Sequence, residues 1–128
     1  MKKFRKLLIL AGVLMVFSLT AFAQDGSASC TFSTSAGSTG AGYLTVNSAR
    51  ATGITTLPEG VGRAGVSVQV SYKTSSGIYT PGSQSATASQ SVTKYINFPS
   101  GSSNRKGTSD HYQADWAHAN VGHCSLWR

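Results

Sequence analysis

The residues best suited to chemistry crowd near the end of the chain: Asp110, His111, Asp115, His118, His123 and Cys124, with Cys30 far upstream. Metal binding or acid–base work would require these side chains to converge. On a regular strand, odd spacings point to opposite faces, which separates His111 from His118 and His118 from His123. The ligand spacings of a zinc site are absent, and two cysteines so far apart form neither a CxxC motif nor a local zinc cluster. A Ser–His–Asp arrangement would draw on Asp115 and His118, but no nucleophile elbow accompanies them. Only four acids follow residue 23, so no carboxylate pair stands out, and no glycine-rich phosphate loop joins a strand to a helix. The reading is of a chain with no catalytic residues, no metal site and no cofactor; a small secreted hydrolase is the weaker alternative.

Binding chemistry is better represented. Lys73, Lys94, Arg105 and Lys106, with Trp116 and His118, are candidate contacts for anionic cell-envelope material such as lipid head groups, teichoic acids or pyrophosphate-bearing wall precursors. The same charges also serve as ordinary solubilising residues. Tyr72, Tyr79, Tyr95, Tyr112, Trp116 and Trp127 offer either an aromatic contact face or packing within a β-domain.

The elements that must position these residues start after an export signal. Lys2, Lys3, Arg5 and Lys6 precede the apolar run Leu7 to Leu19, and Ala21-Phe22-Ala23 fits signal-peptidase cleavage before Gln24. Residues 1–23 are therefore expected to be a cleaved signal helix, and 24–128 a secreted domain without a transmembrane segment. The full chain of 128 residues carries a net +7. Beyond residue 23, seven Lys or Arg face four acids, a net +3, too mild to indicate a nucleic-acid partner. Export makes a Cys30–Cys124 disulfide permissible. Closing a loop of about 94 residues would stabilise the fold by roughly 4–5 kcal/mol in the chain-entropy treatment, and it demands that the first and last strands meet.

Alternation dominates the secreted part. Val66, Val68, Val70 and Tyr72 share one face, with Ser67, Gln69, Ser71 and Lys73 on the other. Strands are also expected at Ser29–Thr34 and Tyr43–Ser48, joined by a glycine-rich turn. Ala86 to Phe98 reads as one long strand, with a bend or the end of its buried stretch at Lys94. The last strand is expected over His111 to Val121. Ala51 to Ala64 and Pro99 to Ser109 read as loops, from their Gly, Pro and Ser content. Five or six short strands with polar turns define an all-β, small antiparallel β-sandwich with a thin core.

The segment Trp116-Ala117-His118-Ala119-Asn120-Val121-Gly122 resembles the Trp-Ala-x-Ala-x-Val-Gly segment of the lactococcin 972 bacteriocins. Val70-Ser71-Tyr72, Gly77 and Gly82-Ser83-Gln84-Ser85-Ala86-Thr87-Ala88 resemble that family's tyrosine-bearing strand, polar turn and Ser-Ala-Thr strand, in the same order. The resemblance spans about Val66 to Gly122. It implies a secreted β-sandwich that binds the wall precursor lipid II on competing bacteria, without catalysis or pore formation. Departures are the longer N-terminal part, the two cysteines and the Cys-Ser-Leu-Trp-Arg tail. A secreted structural or adhesion-type interaction module without toxicity is the second reading.

Overall fold

The computed structural model describes residues 26–127; the expected signal segment lies outside the described residues. Among the described residues, nine strands form two antiparallel sheets. The first contains β1 (Gly26–Ser33), β2 (Thr39–Val46), β3 (Arg50–Thr56) and β7 (Ser91–Asn97), in the order β1-β2-β3-β7. The second is built on β4 (Arg63–Thr74). Along one edge β4 pairs with β8 (Ser103–Gln113), which in turn pairs with β9 (Gly122–Trp127). Along its other edge lie β6 (Gln84–Ser89) and the short β5 (Gly77–Tyr79).

The alternation in β4 works as its residue types dictate. Val66, Val68 and Val70 are buried between the sheets, whereas Ser67, Gln69 and Ser71 line the outer face. Phe32, Leu44, Val46, Ala51, Leu57, Val92, Ile96 and Phe98 complete the core. The layers approach closely because small residues face them. A Cβ on Gly53 would lie 2.9 Å from both Val66 and Val68, and one on Gly107 would lie 2.8 Å from Val46.

Several expected boundaries differ from the structure. The stretch expected as one strand from Ala86 to Phe98 is two strands in different sheets, broken at Gln90 rather than at Lys94. Gln90 takes a left-handed backbone (φ 62°) and is held by bonds from its N–H to Gly62 O and from Leu57 N–H to its carbonyl. The apolar phase runs unbroken across the kink because both strands face one core. Arg50–Thr56, which takes up the start of the loop expected from Ala51, is a central strand, and the expected loop up to Ser109 gives way to β8 at Ser103. Only the start of the expected final strand is a strand: residues 114–121 are a loop, which Asn120 ties to β1 by accepting the Ser33 N–H at 3.0 Å. Asp115 anchors the same loop, accepting from Gln113 Nε2 and the Arg63 N–H. These hydrogen bonds hold its carboxyl below the usual carboxylate range.

Among the described residues, no helix is long and apolar enough to cross a membrane.

Candidate functional site

Two places in the sandwich gather chemistry-bearing side chains: one buried between the sheets, one on the outer face of the second sheet.

The buried place centres on His111. Its position in β8 shares the inward phase of Gly107, Ser109 and Gln113, so the imidazole enters the core and is fully covered. Gly42 of β2 lies against the ring, where a Cβ would overlap it. The hydrogen-bond network assigns the tautomer. The Thr55 hydroxyl donates its single proton to Gly65 O at 2.9 Å, so at 2.7 Å from His111 Nδ1 it accepts. Nδ1 therefore carries the hydrogen, and Nε2 accepts from the Ser109 hydroxyl at 2.7 Å. Burial holds the pKa down to about 4, so the ring is neutral near pH 7. A Ser–His–Thr string has the outline of a hydrolytic site. Ser109 and His111 are both sealed in the core, however, beyond the reach of any substrate.

Cys124 of β9 and Cys30 of β1 adjoin this network. The edge strands β1 and β9 face each other across the sandwich, which meets the demand that the ends of the domain come together. The sulfurs are 2.8 Å apart and both residues are thiols, so the expected disulfide is not formed in the structure, although its partners are in contact. Burial, then the neighbouring Cys30, pushes the Cys124 thiol up to about 12. One ring nitrogen of His111 and the two sulfurs lie within 4.8 Å of one another. Local spacing along the chain gives no sign of such a cluster. Convergence here depends on pairing between sheets, which spacing along the chain does not report.

The outer face gathers part of the cationic set. Register places Ser71, Lys106 and Trp127 in one row across β4, β8 and β9, and Lys73 beside Ile78 of β5. Ser71, Lys73, Ile78, Asn104, Lys106 and Trp127 border an open cleft of about 400 Å³. Ile78 and Trp127 are largely exposed, and the Lys106 ammonium sits 5.2 Å from the Trp127 ring centre.

The other expected binding residues do not join this cleft. Arg105 has the inward phase of β8, its guanidinium bonded to Ser102 O and lying over Phe98, so it and Lys106 point to opposite sides. Lys94 lies on β7, in the other sheet, in the buried phase between Val92 and Ile96. Trp116 and His118 occupy the 114–121 loop, beyond the opposite end of β8. Trp127 belongs to the expected aromatic contact set, whereas Ile78 escapes the sequence expectation; its signal is a large apolar side chain in the outward phase of a strand. An exposed Asp110–His123 pair, 2.7 Å apart, also spans β8 and β9 on this face.

Comparison with protein-family models, curated proteins and solved structures finds no match to the chain.

Proposed function

We propose that the protein is a secreted, non-catalytic antibacterial domain of the lactococcin 972 type that binds an anionic amphiphile of the cell envelope, with lipid II as its target. One observation carries this reading: Lys73 and Lys106 share a single open cleft with the exposed apolar surfaces of Ile78 and Trp127. A pyrophosphate joined to a lipid chain offers two negative charges next to apolar surface, and this cleft presents their complements side by side. Electrostatic attraction from exposed Lys73 and half-buried Lys106 is modest and falls with salt, so the apolar contacts must supply much of the affinity. Burial of the Ser109–His111 pair supports the non-catalytic reading.

The test is direct binding of the mature protein to vesicles with and without lipid II. Selective binding that weakens at least about tenfold in Lys106→Glu or Trp127→Ala supports the proposal. Equal binding to both vesicle types overturns it, and septal defects in inhibited bacteria would separate antibacterial action from binding alone.

A second reading, an adhesion-type module, draws on the outer face of the first sheet. Rows such as Ser29–Tyr43–Ile54–Thr93 and Ser27–Thr45–Thr52–Tyr95 present hydroxyls around half-exposed Tyr43 and Tyr95, with Arg50 stacked 4.2 Å from the Tyr95 ring centre. Binding that survives loss of the cleft residues but fails in Tyr43→Ala/Tyr95→Ala would favour it.

A further inference from the structure

We propose that Cys30, His111 and Cys124 bind one soft d10 cation, zinc(II) or copper(I), whenever both cysteines are reduced. The inference does not depend on the envelope-binding reading.

The three donor atoms already lie within 4.8 Å of one another, although their residues come from three strands in two sheets. Thiolate and imidazole are the ligand types these cations prefer. The tautomer is the right one: Nδ1 donates to Thr55, leaving the lone pair on Nε2 as the one to offer. A histidine ligand commonly donates its second N–H in this way, which fixes the ring's orientation. Ser109 Oγ occupies that lone pair now at 2.7 Å, so its side chain must turn about χ1 and carry the oxygen aside before an ion takes its place.

Metal–sulfur bonds of about 2.3 Å in a tetrahedral site set the sulfurs about 3.8 Å apart. The present 2.8 Å separation must therefore widen by about 1 Å. Cys30 can supply that movement, since it is only half-buried and lies on the edge strand β1. Across from it, Gly122 leaves room for that sulfur, since a Cβ there would lie 3.1 Å from it.

Binding breaks two S–H bonds, sends two protons to solvent, and forms two metal–sulfur bonds and one metal–nitrogen bond, with no change of oxidation state. Two thiolates neutralise zinc(II) in this buried setting, with the Ser109 hydroxyl at hand as a fourth ligand. Copper(I) is satisfied by the three donors alone. A disulfide removes both thiolates, so metal binding and the bridge exclude each other.

The experiment titrates the reduced chain, without oxygen, with zinc(II) alone and separately with copper(I) alone, beside the oxidised chain. One equivalent is expected to bind the reduced chain and none the oxidised one. Cys30→Ser should abolish binding and His111→Gln weaken it at least about tenfold. X-ray absorption of the loaded parent should show two sulfurs and a nitrogen around the ion, a readout that stands even if His111→Gln fails to fold. The cation bound at one equivalent identifies which of the two the site takes. Failure of the reduced chain to bind either cation, equal binding by the oxidised chain, or a shell lacking nitrogen would overturn the proposal.

Discussion

Thr55 and His111, fifty-six positions apart and on opposite sheets, share a 2.7 Å hydrogen bond that fixes which nitrogen of the buried imidazole carries its proton. Thr55→Val keeps the shape of the side chain and removes the acceptor. The Nδ1–H is then left unpaired in the core, at a cost of about 1–3 kcal/mol. Urea unfolding near pH 7 measures this, and an unchanged midpoint would show that Thr55 does not hold the ring.

The same ring makes stability depend on pH. Folding lowers the His111 pKa from 6.5 to about 4. Between those values the unfolded chain takes up a proton that the folded chain refuses. The contribution is complete above about pH 6.5 and is lost as pH falls towards 4, amounting to roughly 3 kcal/mol at most. Unfolding midpoints at pH 7 and 4.5 should differ accordingly in the parent and much less in His111→Gln. Equal midpoints in the parent would mean that the buried ring is not held neutral.

Oxidation should join Cys30 to Cys124, because their sulfurs already touch. The bridge closes a loop of the length at which the chain-entropy treatment gives roughly 4–5 kcal/mol. Oxidised parent is expected to melt well above Cys30→Ser under the same conditions. Coincident melting curves, with mass spectrometry confirming the bridge, would show that it does not stabilise the fold.

Two glycines separate packing from mere position. Gly42→Ala drives a methyl group into the His111 ring, whereas the site of Gly82 is open. The first substitution should cost about 1–3 kcal/mol and the second stay within about 0.5 kcal/mol. Thermal unfolding of the two variants side by side decides, and equal losses would contradict the close approach of β2 to β8.

Legibility in the sequence followed the side chains that fill the core. In β4, valines alternate with Ser and Gln, and the strand and its buried face could be read directly. In β3 and β8 the buried phase is carried by Ala51, Gly53 and Thr55 and by Gly107, Ser109, His111 and Gln113. Those residues satisfy burial by being small or by hydrogen bonding, Thr55, Ser109 and His111 to one another and Gln113 to Ser35 and Asp115, so neither strand shows an apolar period. Both were read as loops over much of their length. The cationic residues were visible as types, yet adjacent Arg105 and Lys106 face opposite sides of one strand, which only its true extent reveals.

By itself, the sequence determined the all-β class and the facing of β4, since alternation and a thin core leave few other arrangements. Tertiary structure alone decided that β1 and β9 lie over each other beside β8, bringing Cys30 and Cys124 to His111. It also decided that Lys73 and Lys106 share a cleft with Ile78 and Trp127. Both outcomes rest on register between strands distant in sequence, and a shift of one residue would turn each of these side chains to the opposite face.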